Sequence, residues 1–170
     1  FDVSEPNLFT VSATSTVYPG GYGVSCNGEN DGAIDVTATG GTPPLFFAWQ
    51  GPNGFAAISE DIVGLAAGTY ALTLTDANGC SHFESWTVSS PTPINIGLAA
   101  SQFADGSNVA CTNGGNGSID ATIIGGVSPY SITWSGPGGI IGISEDLTGL
   151  PIGTYTINVT DAIGCSASES

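Results

Sequence analysis

Four cysteines and one histidine are the side chains of this chain best suited to covalent, redox or proton chemistry, and their spacing says what kind. Cys80 follows Cys26 at the same spacing as Cys165 follows Cys111. Equal spacing predicts two equivalent disulfides, Cys26–Cys80 and Cys111–Cys165, each contributing roughly 4 kcal/mol by closing so long a loop. Zinc competes poorly, because there is no CxxC and a single histidine cannot serve two sites. Disulfides imply an oxidising compartment, hence export. His82, the usual residue type for a general base, has Ala167 as its counterpart in the second half of the chain, and no Ser or Cys stands in a recognisable nucleophile motif. The chain is therefore expected not to be an enzyme.

The carboxylates are the other chemical resource. There are 15 of them against no Lys or Arg, a formal charge of −15. Nothing can neutralise phosphate, so nucleic acid is excluded as a partner. Arginine clamps, lysine Schiff bases and Lys–Asn isopeptide bonds are excluded with it. Adjacent Glu60 and Asp61 point apart on an extended segment, a poor fit to paired-carboxylate glycoside hydrolysis. No cofactor is expected except, weakly, Ca²⁺, which wants several oxygen ligands. Its best candidates are Asp31, Asp35, Glu60, Asp61, Glu145 and Asp146, although no DxDxDG spacing occurs. Asp76 and Asp161 each open a tight turn, where an aspartate ordinarily satisfies backbone N–H groups.

Trp49 and Trp134 could stack on sugars, but their alternation with Phe47 and Ile132 points them inward, and a core role is expected. Phe46 lies on the opposite face, where the second copy has Ser131, and is an interface candidate. Asn116 and Asn158 head N-x-[ST] sequons and are glycosylation candidates.

The elements that must position these residues occur twice. Gly64 to Cys80, GLAAGTYALTLTDANGC, returns at Gly149 to Cys165 as GLPIGTYTINVTDAIGC, with ten of 17 positions identical. The same offset aligns the whole chain, one half on the other, without a gap. Tyr70, Leu72 and Leu74, like Tyr155, Ile157 and Val159, alternate with mostly polar residues, the pattern of a half-buried strand. Further strands are expected over Pro6 to Ala13 and Pro91 to Leu98, Gly32 to Thr39 and Gly117 to Ile124, up to Trp49 and Trp134, and over Ser81 to Val88. No helical periodicity is convincing. No apolar run approaches the length of about 20 residues that a bilayer-spanning helix needs, so no membrane insertion is expected in this segment.

Phe1-Asp2-Val3 corresponds to Trp86-Thr87-Val88, the second half of a strand. The chain is therefore expected to be a window on a longer array. Residues 1–4 would end the last strand of a preceding repeat, 5–89 form one unit, and 90–170 form a second whose last strand is incomplete. Phe1, Val3 and Trp86 join Phe46 as interface candidates. Short proline-bearing junctions such as Ser89-Ser90-Pro91-Thr92-Pro93 predict a semi-rigid rod. Six to eight short strands per unit predict an all-β fold: two tandem immunoglobulin-like, Greek-key β-sandwiches, each with one intradomain disulfide.

Gly40, Gly41, Pro44, Trp49, Gly68, Tyr70, Asp76, Gly79 and Cys80 carry a recognisable pattern, repeated by Gly125, Gly126, Pro129, Trp134, Gly153, Tyr155, Asp161, Gly164 and Cys165. The combination GTPP…W, L-x-x-G-T-Y and T-D-A-x-G-C resembles the SprB repeat family of very large secreted adhesins in gliding and other Bacteroidota. The resemblance implies tandem sandwich domains, a bacterial extracellular or cell-surface location, and export by the type IX system. It implies a segment of an adhesin or extracellular filament serving as spacer, with neighbouring repeats or copies of itself, and surface glycans, as partners. The competing expectation is a pair of carbohydrate-binding modules on a secreted enzyme.

Overall fold

The structure, a computed structural model, describes residues 7–110, 115–137 and 139–170. The chain divides into two compact units, Phe1–Pro91 and Thr92–Ser170. Phe1 and Val3 lie outside the described residues.

In the first unit, strands β1 (Thr10–Ser15), β2 (Gly32–Thr39) and β5 (Ile62–Leu65) form one antiparallel sheet, ordered β1-β2-β5. A second sheet, ordered β4-β3-β6-β7, contains β3 (Phe46–Gln50), β4 (Ala56–Ala57), β6 (Gly68–Thr75) and β7 (Ser81–Val88). Strands along which every second residue is apolar hide one face and wet the other. Ile34 and Val36 of β2 and Ile62 and Leu65 of β5 accordingly share one core with Trp49, Tyr70, Leu72 and Val88 of the other sheet. The inner faces of the two sheets thus bury each other in a sandwich-like arrangement.

The second unit repeats the plan. Strands β8 (Asn95–Ala100), β9 (Gly117–Ile124) and β12 (Leu147–Leu150) form one sheet. The other is ordered β11-β10-β13-β14, from β10 (Ser131–Gly136), β11 (Gly139–Gly142), β13 (Thr156–Thr160) and β14 (Ser166–Glu169). Its core gathers Ala121, Trp134, Leu147, Leu150, Tyr155, Ile157 and Val159.

One feature departs from the sequence reading. The first strand of each unit starts late, at Thr10 and Asn95, because the residues before it are tied to the glycine turn of the next loop. Gly41 N–H donates to the Asn7 carbonyl at 2.9 Å and Gly126 N–H to that of Thr92 at 3.0 Å. Gly40 and Gly125 sit at φ +87° and +80°, and a Cβ there would strike the carbonyl oxygens of Leu8 and Pro93, so only glycine fits. The closing strands also differ. All of β7 pairs with β6, from Thr75↔Ser81 to Gly68↔Val88, whereas β14 pairs only Ile157 to Thr160. Where Trp86 and Val88 cover the first core, the second unit has a recess of about 320 Å³ beside Ser170, lined by Leu98, Ala100, Ile119, Gly153, Thr154 and Tyr155.

Candidate functional site

The turn after β6, residues 76 to 80, is built around one carboxylate. Asp76 is buried, and its Oδ1 accepts the Asn78 and Cys80 amides, both at 2.9 Å, while Oδ2 accepts the Thr42 amide at 3.0 Å. These bonds, the one from Thr42 foremost, hold the carboxyl below the usual aspartate range. Asp161 does the same after β13, accepting from Ile163, Cys165 and Val127 at 3.0, 2.9 and 3.0 Å. Both aspartates are structural, as the turn chemistry predicts.

Each turn presents a cysteine. Cys80 is exposed and its thiol is free. It borders a surface hollow of about 300 Å³ with Asn7, Leu8, Phe9, Gly41 and Asp76. Cys165, at the same position of the equivalent turn, is disulfide-bonded.

The expected Cys26–Cys80 bridge is not made: Cys26 is itself disulfide-bonded, and not to Cys80. The reason is topological. Cys26 lies in the loop before β2, which is fastened to the far end of the unit: Gly23 and Val24 N–H groups donate to the Ser89 carbonyl at 2.9 and 3.1 Å, and Asn27 Nδ2 donates to the Pro91 carbonyl at 3.2 Å. Cys80 immediately precedes β7 and Ser89 immediately follows it. The extended length of β7 separates the two ends by roughly 25 Å, whereas a disulfide needs Cα atoms within about 7 Å. Cys111, the other half of the second expected pair, lies outside the described residues.

The acidic side chains expected to converge on calcium are engaged separately. Asp31 Oδ1 accepts the Ser25 amide at 3.0 Å, and bonds from the Ser25 hydroxyl and amide hold its pKa below the usual value. Asp61 Oδ1 accepts the Val36 amide at 2.9 Å, and Asp146 Oδ1 the Ala121 amide at 3.0 Å. In each unit this carboxylate bonds an amide of β2 or β9 beyond the last residue paired with β5 or β12. Asp35, Glu60 and Glu145 are exposed, and Glu145 uses its carbonyl to accept Trp134 Nε1 at 3.2 Å. Among the described residues no three of His, Cys, Asp and Glu come close enough to hold a metal ion.

Trp49 and Trp134 are 1% and 0% exposed, with indole N–H groups donating to the carbonyls of Ser59 and Ser144 at 3.1 and 3.0 Å, so both are core residues. Trp86 is half-buried against Trp49, ring centroids 5.5 Å apart, which engages it inside its own unit. Phe46 is 58% exposed, on the outer face of β3. Asn158 is exposed in β13, and Asn116 is exposed with its side-chain oxygen accepting the Ala110 amide at 3.1 Å. His82 Nε2 lies 3.4 Å from a Glu84 carboxylate oxygen, and its ring sits beside that of Phe9.

Sequence reasoning missed the ladder-extending role of Asp61 and Asp146. The Ser-Glu-Asp triplet common to both copies, directly before β5 and β12, was the available signal. It also missed the polar tie of the core tyrosines: Tyr70 O–H donates to the Ala66 carbonyl at 2.9 Å, and Tyr155 O–H to that of Pro151 at 2.8 Å.

The SprB repeat family model matches the chain at two segments, residues 24–54 and 104–139. These cover the first cysteine, the second strand and the tryptophan strand of each unit, with the GTPP…W stretch inside the first segment and the L-x-x-G-T-Y and T-D-A-x-G-C elements outside both. No curated protein matches the chain. Among the described residues no helix is long and apolar enough to cross a membrane.

Proposed function

We propose that this chain is a repeat segment of a cell-surface adhesin or extracellular filament, acting as a semi-rigid spacer rather than as a catalyst. The observation that carries the reading is the duplication itself: two units at one constant offset share strand order, buried tryptophan, tyrosine tie and aspartate turn, and each matches the SprB repeat. What the two copies share is architecture. The residues that differ include the chain's one histidine, His82 against Ala167. We read each unit as an immunoglobulin-like Greek-key sandwich. Its two sheets, a tryptophan inside the third strand and a tyrosine O–H bonded to a carbonyl just upstream support this. Burial of Trp49 and Trp134 removes the feature a carbohydrate-binding module would use. Export by the type IX route and a bacterial surface location follow from the family likeness.

Antibodies raised against the chain and applied to intact source cells test this reading. Labelling of extracellular material before permeabilisation is the expected result, and labelling only afterwards would sink it. A glycan array probed with the purified chain tests the spacer role: saturable binding to a defined glycan would replace it.

A further inference from the structure

The strand β7 ends its sheet. It pairs with β6 over its whole length, and among the described residues no strand pairs with its other side. Such an edge offers a row of unpaired N–H and C=O groups to any strand that fits, and proteins ordinarily blunt it with a bulge, a proline, a lysine or brevity. β7 has none of these: its register is unbroken, and it is the longest edge strand among the described residues. The edges β5, β11 and β12 are bulged, and β4 and β14 are two and four residues long.

The sequence of β7 is also self-complementary. Ser81-His82-Phe83-Glu84-Ser85, laid antiparallel against itself about Phe83, sets Ser81 opposite Ser85, His82 opposite Glu84 and Phe83 opposite Phe83. Side chains so opposed stand about 4.5–5.5 Å apart at Cβ, and aromatic and opposite-charge pairs at that distance stabilise a sheet. Phe83 is 69% exposed, and His82 and Glu84 are 34% and 46% exposed, so all three are open to a partner. His82 Nε2 already lies 3.4 Å from Glu84 of its own strand, and pairing adds Glu84 of the second copy across the edge.

Charge selects both the occupant and the register. With 15 carboxylates and no Lys or Arg, two copies repel one another over most of their surface. Glu84 is the one carboxylate of β7. A pairing centred on Glu84 sets glutamate against glutamate, whereas centring it on Phe83 gives each glutamate the chain's single histidine. In the second unit β14 keeps the glutamate, as Glu169, but has Ala167 and Ser168 where β7 has His82 and Phe83. The self-complementary stretch is therefore not part of the frame the two units share.

We propose that β7 is a docking edge for a second copy of this chain: two copies join antiparallel through Ser81–Ser85, and two four-stranded sheets become one continuous sheet. A strand of another sequence could use the backbone groups but would not answer His82 and Glu84. So short a contact falls well below the roughly 800 Å² per partner of a stable complex, which makes the association weak and reversible, suited to high local concentration. The pairing does not depend on the spacer reading, which surface labelling tests separately.

The test uses the full chain carrying Cys80→Ser, so that the free thiol cannot cross-link copies. Sedimentation equilibrium at about pH 6, where histidine is largely charged, should show a reversible monomer–dimer equilibrium at high protein concentration. His82→Glu sets glutamate against glutamate at both symmetry-related positions and should weaken the dimer roughly tenfold. Adding Glu84→His to it restores the opposite-charge pairs and should restore the dimer. In the same background Phe83→Cys should oxidise to a covalent dimer, because the two introduced thiols face each other, whereas Ser85→Cys should not, because it faces Ser81. Melting curves confirm that each variant is folded. A chain that stays monomeric at millimolar concentration, a dimer indifferent to His82→Glu, a charge swap that fails to rescue it, or equal cross-linking of the two cysteine variants would each overturn the proposal.

Discussion

The two units run the same plan with different closures. In the first, β7 covers the full length of β6, Trp86 leans on Trp49, and Val88, 2% exposed, seals the core. In the second, β14 covers only Ile157 to Thr160, and Tyr155 borders two recesses of about 320 Å³ each. The outer faces differ as well. Phe46, Ala48 and Phe83 stand where the second unit has Ser131, Thr133 and Ser168. Since the turns and inner residues match, the difference teaches that a repeat's fold is fixed by its buried tryptophan, tyrosine and aspartate.

The largest expected effect comes from the tryptophans. Trp→Ala in a packed core costs about 3–5 kcal/mol, a large share of a small domain's stability. Trp134→Ala should unfold the second unit, because Trp134 is fully buried at the centre of its core. Trp49→Ala should leave the first unit folded but weakened, with Trp86 able to shift into the space. Hydrogen exchange followed by mass spectrometry reads the units separately, and equal protection loss in both would break the comparison.

Much of this was legible in the sequence, because a period of two along a strand reports which face is buried. Tyr70, Leu72 and Leu74, and Tyr155, Ile157 and Val159, are buried as that pattern requires. β7 also covers the residues expected of it, Ser81–Val88. The cysteine pairing was not legible. Equal spacing in two copies shows that Cys26 is equivalent to Cys111 and Cys80 to Cys165, but it says nothing of which end of a sandwich each occupies. Only the length of β7 between Cys80 and Ser89 decides that. The backbone role of Asp61 and Asp146 was hidden for a related reason: the amides they accept are far away along the chain.

A smaller effect in the first unit depends on pH. The Asp76 carboxyl is held below its ordinary value by backbone amides. A group with a depressed folded pKa contributes stability fully present above its unfolded value of about 3.9, and this is lost as pH falls through the folded value. Acidification below about pH 4 should therefore lower the first unit's melting temperature, and Asp76→Asn should flatten that dependence while lowering stability at neutral pH. A slope unchanged by the substitution would show that another carboxylate with a lowered value, Asp31, governs the first unit's acid unfolding.

The smallest effect is expected from Tyr70→Phe and Tyr155→Phe. Each removes one hydroxyl bonded to the carbonyl of Ala66 or Pro151, at 2.9 and 2.8 Å, and leaves the ring in place. A hydrogen bond of this kind contributes about 1 kcal/mol net. The two bonds have the same geometry, so the two costs should agree if the tyrosine tie belongs to the part of the fold that every repeat shares. They would diverge if the tie depended on closure. Beside the recesses Tyr155 has less packing around it, and water could satisfy the freed Pro151 carbonyl, making Tyr155→Phe the cheaper change. Paired denaturant titrations therefore decide whether the tyrosine belongs to the shared frame or to the closing strand.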